Sequence, residues 1–188
     1  MERKKIYAYL IIILLWVIPG YINGQSEEES CSLAFSLPEI ALIDIEPAGI
    51  SNISLTLTTN PESGLPVTAS GAVNDDLWIN YTSSLATGSN NRSVTVQISS
   101  GAIPSGVAVT LQPSAFSGSG SGITGTPVGP VSLSSTSQTL ISGIGRCFTG
   151  NGMNNGHRLN YSLEITNYNS LRFNESSTIQ IAFTLTDN

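Results

Sequence analysis

Charge is scarce in this sequence, and positive charge scarcer still: only 11% of the 188 residues are charged, with 13 Asp and Glu against 7 Lys and Arg, for a net charge of −6. A coiled coil or helical bundle needs Lys- and Glu-rich outer faces, so both are excluded. The only lysines are Lys4 and Lys5, and beyond residue 24 the strong bases are Arg92, Arg146, Arg158 and Arg172. Downstream of residue 24 there is therefore no lysine for a Schiff base or a phosphate-binding loop. Four scattered arginines cannot neutralise a phosphate backbone either, so no nucleic-acid partner is expected. Histidine occurs once, as His157, and neither cysteine belongs to a C-x-x-C pair, so thioredoxin-like redox chemistry and a zinc site have no support. No G-x-S-x-G elbow is present. No cofactor is expected.

What the chain does contain begins with an address. Glu2-Arg3-Lys4-Lys5 precedes the uncharged apolar run Ile6 to Ile18, which Pro19-Gly20 breaks. The run is about 13 residues long, short of the roughly 20 that span a bilayer, and reads as a secretory signal spanning residues 1–24, with cleavage after Gly24. No later segment is apolar enough to cross a membrane, so no membrane span is expected once the signal is removed. The product would carry a net charge of about −8 and reach the periplasm, the outer cell surface or the extracellular space. There, Cys31 and Cys147 are expected to form a disulfide, with two unpaired thiols as the alternative. Closing so long a loop is worth about 4.7 kcal/mol in the chain-entropy picture.

Residues 25–30 hold Glu27-Glu28-Glu29 and nothing to bury, which marks an acidic flexible tail. From residue 31 to 188 a single domain is expected. Apolar residues alternate with polar ones at Ile53, Leu55 and Leu57; at Val94, Val96 and Ile98; at Val107, Val109 and Leu111; at Leu159, Tyr161, Leu163 and Ile165; and at Ile179, Ile181, Phe183 and Leu185. A period of two places each row on one face of a sheet. Further strands are read at 33–37, 39–45, 65–70, 77–81 and 138–144, the second of these apolar on both faces like a central or two-sided strand. Residues 112–137, with Gly118-Ser119-Gly120-Ser121-Gly122, read as a surface loop with a short edge strand near 128–133. The fold class is all-β, an antiparallel immunoglobulin-like or Greek-key β-sandwich.

An export signal, a cysteine soon after it, successive alternating strands and a last amphipathic strand near the C-terminus together resemble secreted bacterial β-sandwich proteins of the fimbrial, pilin-like type. The runs Leu37 to Pro47 and Thr178 to Asp187 also resemble exported proteins of similar size. The resemblance implies a non-enzymatic structural or adhesive module at the bacterial cell surface, with like subunits or surface glycans as partners. In chaperone-assembled pilins a neighbour's N-terminal segment supplies a missing strand. Here the closing strand is present and residues 25–30 are acidic, which favours a sandwich complete in itself.

The alternative reading is a carbohydrate- or calcium-binding sandwich. If Leu77, Ile79 and Tyr81 face the core, Trp78 and Asn80 face outward as a platform for a sugar ring; in the opposite register Trp78 is core. Asn74, Asp75 and Asp76 cluster oxygen ligands suited to calcium in one turn, or else form a plain carboxylate pair at a strand end. His157 follows Asn154-Asn155-Gly156 and reads as a surface turn residue, at which alanine should cost under about 0.5 kcal/mol. Chance in so Ser-, Thr- and Asn-rich a chain accounts for most of the N-x-S/T sequons at Asn52, Asn80, Asn91, Asn160 and Asn174.

Overall fold

The computed structural model describes residues 28–49, 52–69, 73–172 and 176–188. The proposed signal at 1–24, the first part of the acidic tail and the sequon at Asn174 lie outside these residues. Among the described residues, no helix is long and apolar enough to cross a membrane. Residues 37–188 form one compact unit, and 28–36 belong to a separate one.

The compact unit is an antiparallel all-β sandwich with nine strands among the described residues: β1 (Ile40–Glu46), β2 (Val73–Ser84), β3 (Arg92–Ser100), β4 (Val107–Pro113), β5 (Ser121–Pro127), β6 (Val131–Ser132), β7 (Gln138–Phe148), β8 (His157–Ile165) and β9 (Gln180–Asp187). Hydrogen bonding runs in the order β6-β4-β8-β2-β7-β3-β9, with β1 added to β2 and β5 to β7. This defines one layer of β6, β4, β8, β2 and β1, and a second of β9, β3, β7 and β5. The 12-residue β2 joins them: its first part pairs with β8 through Ile79↔His157, and its end pairs with β7 through Ser83↔Cys147. After the β1–β2 pair, every connection passes from one layer to the other.

Period-two rows build the core. Leu77, Ile79 and Tyr81 of β2 and Leu159 and Tyr161 of β8 meet Val94, Val96 and Ile98 of β3 and Leu140, Ile141 and Ile144 of β7 in one buried cluster. Burying each such side chain contributes roughly 1.5–3 kcal/mol. In β7 the alternation breaks, because Leu140 and Ile141 are both fully buried. Register shifts against β3 at Arg92/Val94 and Val94/Thr95 explain this: β7 carries extra residues there, one of them near Gly143 at φ 70°.

Several sequence expectations need correction. Cys31 and Cys147 are both free, the first exposed and the second buried among the core side chains, so Cys147 acts as a small apolar group where a disulfide was expected. The segment 39–45 becomes β1, but as an edge strand bonded only to β2, with Leu42 largely exposed, so it is not central. Among the described residues, 33–37 form no strand, and Leu33, Phe35 and Leu37 are exposed. Ile53 and Leu55 do pack against the core, and among the described residues their stretch forms no named strand, meeting a neighbour at the Thr58↔Thr68 bridge. Conversely, part of the expected glycine-rich loop is the strand β5.

Candidate functional site

The outer face of the first layer carries an open recess of about 590 Å³ where β2 and β8 begin. Trp78 lies opposite Arg158 across the two strands, so both side chains stand on the face away from Leu77 and Leu159. Asp75 and Asp76 line the same recess, although consecutive residues of a regular strand face opposite ways. A bulge permits it: between Asn74 and Leu77, β2 has one residue more than β8, and the extra residue re-aims the acidic pair.

Two loops raise the walls. After β4, Phe116 and Ser117 border the recess; between β7 and β8, Met153 and Asn154 do. Ser117 and Gly156 exchange backbone hydrogen bonds at 2.9 Å each way, tying the loops together. Asn80 locks the second loop by donating to Asn155 O (2.6 Å) and accepting from the Gly152 N–H (2.8 Å). The Asn155 side chain donates to Asn151 O (2.9 Å) and accepts from the Ser119 N–H (3.0 Å). At Gly156, with φ 81°, a Cβ would stand 2.1 Å from Ile79 O, so only glycine lets the loop approach β2 so closely.

These positions sort the sequence candidates. The register that turns Trp78 outward is the observed one, but the loops cover it to 8% exposure, and it forms the floor of the recess. Asn80 is buried with both ends of its amide engaged; it supports the wall and offers solvent nothing. Asn74 donates to Asp76 Oδ2 at 2.9 Å, while Asp75 Oδ2 pairs with Arg158 Nη2 at 2.8 Å. One oxygen of each carboxylate thus has an internal donor, and among the described residues no three His, Cys, Asp or Glu side chains gather as metal ligands. Phe116 and Asn154 reach the site through loop contacts and Arg158 through the β2–β8 register, neither of which local sequence pattern shows.

His157 is the largest departure. It is fully buried, on the opposite face of β8 from Arg158, with its ring stacked on Tyr81 at 5.9 Å and met edge-on by Phe116 at 6.0 Å. Nδ1 lies 2.9 Å from Ser114 O, which can only accept, so Nδ1 carries the hydrogen. Nε2 lies 2.8 Å from the Tyr81 hydroxyl, which also bonds Thr124 O. Burial pushes the imidazole below its usual range, against the opposing pull of the Ser114 and Thr124 carbonyls. Burial likewise drives the Tyr81 phenol upward, with a smaller push from Cys147. The surface-turn reading of His157 is therefore wrong: the ring fills the core beneath the recess.

No family model, curated protein or solved structure matches the chain.

Proposed function

We propose that the protein is an exported, non-enzymatic adhesive module that holds a surface glycan in the recess between β2, β8 and the two loops. The observation that carries this reading is the bulge in β2, which sets Asp75 and Asp76 beside Trp78 and Phe116 in one open recess. Sugars are recognised by such a combination, in which an apolar ring face packs against C–H groups while carboxylate and amide side chains bond the hydroxyls. The Asn80 and Asn155 bonds hold the walls in place beforehand, so little ordering remains to oppose binding. The resemblance to fimbrial subunits and the secretory character of residues 1–24 support the surface location.

A glycan array probed with the secreted protein tests this. Binding to a defined set of glycans is expected, and Asp76→Ala combined with Asn154→Gly, which removes the amide and keeps the positive φ of 64° at that position, should weaken it at least tenfold. Both side chains are exposed, so the urea midpoint should stay close to that of the parent. An array on which the parent protein binds nothing would refute the glycan reading.

A further inference from the structure

Resting on that glycan reading, we infer that the recess selects uncharged saccharides and rejects acidic ones, and that Asp76 sets the preference. Three charged side chains line it: Asp75, Asp76 and Arg158. Arg158 is the only cation among them, and it is engaged: its Nη2 meets Asp75 Oδ2 at 2.8 Å and its Nε donates to Asp75 O at 2.6 Å. One edge of the guanidinium fork is thus filled and its charge balanced, whereas recognition of a sugar carboxylate wants that fork free. Asp76 has no cation opposite it among the described residues; its one side-chain bond is from the neutral Asn74 amide. A carboxylate has room for about four hydrogen bonds, so acceptor capacity remains for ligand hydroxyls, and the negative charge remains for ligand anions to meet.

The neutral groups on the rim agree. Among the described residues, the Asn154 amide and the Ser117 hydroxyl carry no side-chain hydrogen bond, and both border the recess. They can exchange hydrogen bonds with uncharged hydroxyls but cannot balance a carboxylate. At longer range the acidic chain, at −6 overall, also repels an approaching anion.

The test sets neutral glycans against uronate- and sialate-bearing counterparts of matched linkage, using the parent protein and Asp76→Asn, in 20 mM and 500 mM salt. The parent should bind the neutral member at least tenfold more tightly in low salt. That gap should shrink severalfold in Asp76→Asn, and also in the parent at high salt, where screening mutes the repulsion. The salt series needs no substitution, so it decides the preference for neutral glycans even if Asp76→Asn folds poorly, and a gap unchanged in folded Asp76→Asn would overturn the role of Asp76. Equal or tighter binding of the acidic member would overturn the inference and leave the glycan reading standing, whereas binding of neither would overturn both.

Discussion

Two side chains that normally seek water, His157 and Arg92, are buried in opposite ways. Arg92, at 3% exposure, keeps its charge: Nη2 meets Glu39 at 2.7 Å, Nε meets Asp187 at 2.6 Å, and Nη1 donates to Ile40 O at 2.6 Å. One residue of β3 thereby holds β1 and β9. Both carboxylates are half or more exposed, so the ion pairs themselves add little; the larger loss on substitution would be the donors to the half-buried carbonyls of Ile40 and Ser84. Arg92→Ala should cost about 2–3 kcal/mol in urea unfolding, with Arg92→Lys recovering only part. His157 is held neutral instead. Because burial lowers its folded pKa while the unfolded chain keeps about 6.5, its contribution is complete above pH 6.5 and fades as pH falls toward the folded value. The urea midpoint should therefore decline as pH falls below about 6.5, and this part of the slope should vanish in His157→Phe. His157→Ala should itself cost about 2–4 kcal/mol by opening a cavity against Tyr81 and Phe116.

Strands are where the sequence spoke most clearly and also where it misled. Rows such as Val94-Val96-Ile98 were legible because a regular strand buries every second residue, and their burial follows that pattern. Leu33-Phe35-Leu37 shows the same alternation without a ladder, since period two reports an extended chain with two faces and not whether a neighbour bonds its edge. β5 was hidden for the opposite reason. Its Gly122 and Gly125 lower strand propensity, yet β7 passes so close that a Cβ on Gly122 would stand 2.2 Å from Arg146 O. The site was half legible: Trp78 and the Asp pair stand out locally, but the bulge and the two loops that complete the recess depend on long-range register. For β9 the reading holds, with Ile181, Phe183 and Leu185, and Ile179 just before the strand, packing on the core beside β3. Ile181→Asp should therefore lower stability by about 2–3 kcal/mol, while Thr184→Asp, on the exposed face, should shift it by less than about 0.5 kcal/mol. Equal losses from both would mean that β9 does not present these faces.

For the molecule as a whole, the free state of both cysteines means that stability must come from the single apolar cluster shared by the two layers, together with the hydrogen-bonded network that folds over at β2 and β7. Cross-linking would have narrowed the unfolded ensemble, an effect worth roughly 2–4 kcal/mol for a typical bridge, and reductant would remove it. With no bridge, a reductant has nothing to cleave, so the urea midpoint should be the same with and without dithiothreitol. The thiols should also divide by environment. Cys31 is exposed and should react at once with a thiol reagent in the native protein, whereas Cys147 is packed in the core, where burial raises its pKa and suppresses the reactive thiolate. Native protein should thus show one fast thiol, and the second only at the rate of unfolding. Cys147→Ala should cost about 1–2 kcal/mol through lost packing, and Cys31→Ala close to nothing. A crosslinked Cys31 and Cys147 peptide in a non-reducing map, or equal losses from the two alanine variants, would show instead that a covalent bridge helps to hold the molecule together.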